Sequence, residues 1–213
     1  MAHNDYFHSK ALDLGKRDRT RARLIDAAIE ANYVEGPIDL AARTVAKYAG
    51  MSSGTFHNHF DDIDDVRHQA MISIAMEIHT QNTLDLVHIT DPLRRICSAA
   101  IRLLLMFTGR PAWGILATYV QRSKGVTAQP LAEPLMIDIT RAVTEKKLKT
   151  MPTPFTIALA VDLFGDSISY QIRNGVNDED IRKSVEIFLL ILGFNKGPIK
   201  KAFDQSFAAL SDS

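Results

Sequence analysis

Cysteine is all but missing from this chain of 213 residues: Cys97 stands alone, which excludes an intramolecular disulfide and a multi-cysteine zinc site. Set in an apolar helical pattern, it reads as a small core residue. Long hydrophobic runs are lacking as well. The longest, Ile187 to Phe194, falls well short of the roughly 20 residues a membrane span needs. The first residues form no basic-then-apolar leader, so a cytoplasmic protein with no membrane partner is expected. No excess charge of either sign exists: 25 Lys and Arg balance 25 Asp and Glu, for a formal net charge of zero. That excludes a uniformly basic coat for nucleic acid, and nothing narrower. No activated nucleophile, glycine-rich phosphate loop or complete ligand set accompanies the scattered acidic and histidine residues. No catalytic residue, metal or cofactor is therefore expected.

What is present supports a buried core. Apolar residues make up 46% and charged residues 23% of the chain, close to globular averages. The length admits one large domain, or a small one joined to a larger. The charge is unevenly spread: Lys16, Arg17, Arg19, Arg21 and Arg23 are interrupted only by Asp18, so the first segment is locally basic.

Helical periodicity organises nearly all of the chain. From Arg21, the residues Leu24, Ile25, Ala28, Ile29 and Ala31 recur at helical spacing until Gly36-Pro37. Short helices are expected over about 41–49 and 52–59, then a long one from Asp64 to about Val87. Asp91-Pro92 opens the next, which Gly109 and Pro111 end, and a shorter one runs to about Ser123. The stretch from Lys124 to Pro134, with Gly125, Pro130 and Pro134, reads as a loop. Helices follow over about 135–149, 153–174, 178–192 and 198–210. No strand alternation or internal repeat appears, so the fold is expected to be all-α.

The most informative stretch runs from Thr44 to Phe60. Val45 and Ala46 form the inner face of one helix. Gly50 can turn the chain in the left-handed region, Met51 plugs the corner, and Ser52 can cap the following helix. Phe56 and Phe60, four apart, anchor that helix and leave short polar side chains outside. Short polar groups beside glycine suit a helix pressed into a major groove.

From about Arg21 to Val66, through Ala-Gly-Met-Ser-Ser-Gly-Thr-Phe-His-Asn-His-Phe, the sequence resembles the tetracycline-repressor (TetR) family of bacterial transcription regulators. The resemblance implies a three-helix helix-turn-helix domain over 1–63 and a helical ligand-binding and dimerisation domain over 64–213. It implies that Arg43, Ser53, Thr55, His57, Asn58 and His59 face an operator of double-stranded DNA, with Arg19, Arg21 and Arg23 as phosphate partners. Departures from the family pattern have consequences. Where the family often has Ser or Thr capping the second helix and touching phosphate, this chain has Ala41, so that contact is expected to be lost unless Asp39 or Thr44 compensates. Ser53, His57 and Ile63 stand where Lys, Tyr and Lys are common. Asp61, Asp62, Asp64 and Asp65 favour the dipole of the next helix yet oppose phosphate. His57 and His59 are expected to recover positive charge below about pH 6.5.

For the second domain, Phe107, Trp113, Tyr119, Asp162 and Tyr170 are taken as candidates to line the site of a small-molecule effector; the alternative for the aromatic ones is plain core. His57 and His59, two apart on a helix, point away from each other and do not form a metal pair. The apolar residues of 153–174 and 178–192 exceed what one buried stripe needs, and the resemblance assigns these helices to a homodimer interface. An effector that pushes the far end of the long helix would change the spacing of the two recognition helices and release the operator. The competing class is an enzyme or helical interaction protein with a chance helix-turn-helix, which would lack salt-dependent DNA affinity.

Overall fold

A computed structural model of the chain describes residues 5–38, 40–124 and 129–211, and within them regular secondary structure is helical throughout. In chain order the helices are α1 Tyr6–Lys10, α2 Lys16–Val34, α3 Ala42–Tyr48, α4 Ser53–His57, α5 Ile63–Leu86 and α6 Pro92–Gly109. They continue as α7 Pro111–Lys124, α8 Gln129–Thr144, α9 Pro154–Asn174, α10 Asp178–Ile191 and α11 Lys196–Ser211. Several starts are fixed by side-chain caps. Asp91 accepts the Arg94 N–H at 2.9 Å, Thr153 that of Thr156 at 3.1 Å, and Asn177 that of Asp180 at 2.9 Å. Each satisfies an amide that the helix itself leaves without a partner.

Four expectations need correction. Helical spacing does not predict α1, and it starts α2 at Arg21 where the helix begins at Lys16. Residues 129–134 are helical, because Pro130 falls in the first turn, where its missing N–H is harmless, and Pro134 removes only one bond from a helix packed on α6. The helix expected to reach residue 149 ends at Thr144, where Lys146 turns left-handed at φ 58° and the Lys147 and Leu148 amides fold back to the Ala142 carbonyl.

The chain divides into two compact units, with a boundary within α5. One unit takes the chain as far as Ile74 and also α7; the other begins at Ala75 and holds the end of α5, α6 and α8 to α11.

In the first unit α2 is the central element, packed by α1, α3 and α7. The short α1 is held by groups distant in sequence. Asp26 of α2, 2% exposed, accepts the Phe7 N–H at 3.1 Å and the His8 N–H at 2.8 Å. Burial pushes the Asp26 pKa up to about 7, outweighing the two amide bonds that lower it, and the charge of Asp5 adds to the rise. Phe7 stacks on Trp113 of α7 at 5.5 Å and Tyr6 meets it edge-on at 5.0 Å, leaving Trp113 fully buried. Arg19 completes the arrangement by donating to the Leu12 and Leu14 carbonyls at 3.3 and 2.9 Å.

In the second unit α6 packs against α8, α9, α10 and α11, and α9 pairs with α10. Ser98 and Ser206 join α6 to α11 through a buried hydroxyl pair at 2.8 Å. Cys97 is a buried core residue whose thiol pKa is pushed up to about 12 by desolvation, which makes it unreactive.

Candidate nucleic-acid interface

The α3–α4 pair is built by backbone rules. Gly50 adopts φ +67°, and the amides of Gly50 and Met51 return to the Lys47 and Ala46 carbonyls at 3.0 and 2.8 Å, closing the end of α3. Ser52 then caps α4, its hydroxyl accepting the Thr55 N–H at 3.1 Å and lying 2.9 Å from the Thr55 hydroxyl. Val45, Ala46, Phe56 and Phe60 are all buried, with the two phenylalanine rings 5.8 Å apart. With that face fixed, Ser53, Gly54, His57 and Asn58 are exposed together on the opposite side of α4, while Thr55 and His59 are half-buried.

Around this face the cations differ in what already holds them. Arg43 is exposed on α3 and lines an open cleft with Lys47, Met51, Ser52 and Ser53. Arg23 is exposed, and a Cβ added to Gly50 would lie 3.4 Å from its guanidinium, which places it at the turn between α3 and α4. Arg21 is engaged elsewhere: it donates to Gln69 at 2.8 Å and lies over the Phe60 ring at 5.0 Å. Arg19 is tied to the carbonyls that follow α1. Arg17, not singled out from sequence, is exposed and near enough for its charge to act on His59. Its signal lay in the basic run, where spacing alone did not distinguish it from its neighbours.

His59 departs from expectation. Burial, followed by the charges of Arg17 and Arg21, lowers its pKa below the usual histidine value, so in the free protein it gains charge later on acidification than an ordinary histidine. The acidic run is partly occupied by its own backbone: Asp65 accepts the Asp61 N–H at 3.1 Å and Asp62 accepts the Asp65 N–H at 2.8 Å, fixing the entry to α5. Ala41 leaves α3 without a side-chain cap. The amides of Thr44 and Val45 go to the Ala41 carbonyl instead, at 2.9 and 3.3 Å, and Asp39 lies outside the described residues.

The five effector-site candidates are divided between the two units. Trp113 and Tyr119 lie on α7 in the first unit, where Trp113 is enclosed by Tyr6 and Phe7 and Tyr119 covers the guanidinium of Arg67. Phe107 is buried in α6 of the second unit, while Asp162 and Tyr170 are exposed on α9. Helical spacing cannot report which unit an inserted helix joins, and α7 joins the one that is distant in sequence. On α9, Phe155, Leu159, Leu163 and Tyr170 form an exposed stripe, and Ile187 and Leu190 are exposed on α10.

No protein-family sequence model matches the chain, and no curated protein matches it by sequence. Solved structures do match its fold. RolR in complex with resorcinol superposes with a TM-score of 0.62 at 18% identity, covering 90% of this chain and 94% of that one. A putative TetR-family transcription regulator from Shewanella sp. PV-4 gives 0.66 at 13% identity, with coverage of 81% and 96%. The transcriptional regulator FadR from Bacillus subtilis, in complex with stearoyl-CoA, gives 0.62 at 15% identity, with coverage of 80% and 97%. The chain therefore has the fold of TetR-family transcription regulators, along almost their whole length.

Proposed function

We propose that the chain is a DNA-binding transcription regulator, acting as a homodimeric repressor that a small-molecule effector releases from its operator. The observation that carries this reading is the exposed polar face of α4: Ser53, His57 and Asn58 beside Gly54, on a helix whose other face is fixed by Phe56 and Phe60. Such a surface brings donors and acceptors to base edges without bulk between them. Arg23, Arg43 and Arg17 flank it as exposed cations suited to phosphate. The shared fold supports a regulator, and neighbours in complex with resorcinol or stearoyl-CoA support a small-molecule effector. A second copy is the natural cover for the apolar stripe of α9 and α10. Two-fold symmetry would then present two recognition helices about 34–36 Å apart, or a multiple, for successive major grooves.

The test is enrichment of duplexes from a random-sequence pool, followed by affinity measurements on the enriched duplex at several salt concentrations. The wild-type protein should enrich a two-fold-symmetric sequence and bind it more weakly as salt rises. Combined Thr55→Ala and His57→Ala should reduce that affinity roughly 5- to 150-fold, the loss of about 1–3 kcal/mol expected for a good base contact, without unfolding the protein. Binding that ignores salt, or an α4 variant that binds as tightly as wild type, would defeat the assignment.

A further inference from the structure

Away from the reading face, the first unit buries a guanidinium. The side chain of Arg67, on α5, is 5% exposed. Arginine stays ionised at any ordinary pH, so its burial must be met by partners and not by loss of a proton. Its Nε donates to Asn32 Oδ1 at 3.2 Å, one Nη lies 3.4 Å from Asp64 Oδ1, and the other donates to the Pro37 carbonyl. Asn32 is fully buried on α2, and Pro37 follows Gly36, whose φ of +85° begins the turn that leads to α3. The same guanidinium lies over the ring of Tyr119 on α7, 4.9 Å from its centroid.

Arg67 thus joins the end of α2, the turn that delivers α3, and α7. The chain enters α7 from α6 and leaves it toward α8, two elements of the other unit, whereas α3 and α4 carry the reading face. We propose that Arg67 is a positioning residue for DNA binding, setting the Pro37 turn, and with it α3 and α4, according to where α7 holds Tyr119. The proposal rests on the regulator reading above. Its physical basis is burial: with the side chain 5% exposed, solvent has little access to replace a lost partner. A desolvated cation keeps its ring, and a planar fork with fixed donor directions carries the Pro37 carbonyl and Asn32 with it. A merely structural arginine would hold the unit together without passing the position of Tyr119 to α3.

The test is a double-mutant cycle of full-length Tyr119→Leu, Arg67→Met and their combination, with thermal unfolding measured alongside. The probe is the duplex enriched by the wild-type protein. Tyr119→Leu should weaken binding about fivefold or more, on the scale of a desolvated cation–ring contact. It should leave the salt dependence unchanged, because no phosphate contact is removed, and it should add little to Arg67→Met. Tyr119→Phe keeps the ring and should bind like wild type. If Tyr119→Leu lowers thermal stability while the folded protein binds as tightly as wild type, or if the two losses add in full, the assignment fails. Should Arg67→Met not fold, Arg67→Lys, which keeps the charge and loses the fork, takes its place under the same criteria. A wild-type protein that enriches no duplex overturns the regulator reading and this proposal together; the other failures overturn the role of Arg67 alone.

Discussion

Two histidines two positions apart on or beside α4 have different surroundings: His57 is exposed, whereas His59 is half-buried under the influence of Arg17 and Arg21. Because the folded-state pKa of His59 is lowered, the folded chain binds fewer protons than the unfolded chain in the window below the ordinary histidine value. Its stability is present above that window and is lost as pH falls through it. Nuclear magnetic resonance titration of the imidazole protons should place His59 below 6.5 in the free protein, and His59→Gln should reduce the loss of stability on mild acidification. A His59 titration at or above the ordinary value would contradict the burial argument. The same scale explains why Gly50 and Ser52 could be read from sequence. A left-handed turn and a one-residue cap are local demands that a particular side chain, or its absence, must meet.

At the scale of helices, most of α3 to α7 and α9 to α11 was legible, since caps, prolines and apolar spacing act within a few residues. Besides the start of α2 and the two ends of α8, the exception was α1, which is too short to be stable alone and is held by Asp26 and Trp113, partners that no local pattern connects to Tyr6 and Phe7. The candidate site divided in the same way. The face of α4 was legible because anchors and exposed positions share one short helix, while the unit to which Trp113 and Tyr119 belong depended on how α7 packs. Trp113 is the sole tryptophan, so its fluorescence reports on α1 directly. Removing residues 1–14 should shift its emission to the red and open it to acrylamide quenching; an unchanged spectrum would mean that α1 does not shield it. Asp26 gives the arrangement a pH dependence. Its folded pKa of about 7 lies above the ordinary carboxylate value of 3.8, so the folded state holds more protons between those values and loses stability as pH rises through them. Asp26→Asn should flatten that slope in denaturant unfolding, although its amide can replace only one of the two accepted bonds.

For the whole molecule, the proposed dimer turns on the apolar stripe of α9 and α10. Phe155 is 75% exposed and Ile187 50%, an arrangement that favours association when several such residues adjoin. With Leu163→Glu and Ile187→Glu combined, sedimentation at micromolar concentration should change from dimer to monomer, and affinity for the enriched duplex should fall because two half-sites no longer act as one. A wild-type chain that sediments as a monomer would remove the two-fold basis of the proposed mechanism. One further consequence concerns the order in which the protein is made. The unit that carries α4 is completed by α7, whose last residue is Lys124. On the ribosome, at about 5–20 residues per second, α2 to α4 emerge first and wait several seconds for Trp113 to arrive. The nascent chain must therefore carry an uncovered face of α2 throughout that interval, and this is the stage of synthesis at which a chaperone would have most to bind.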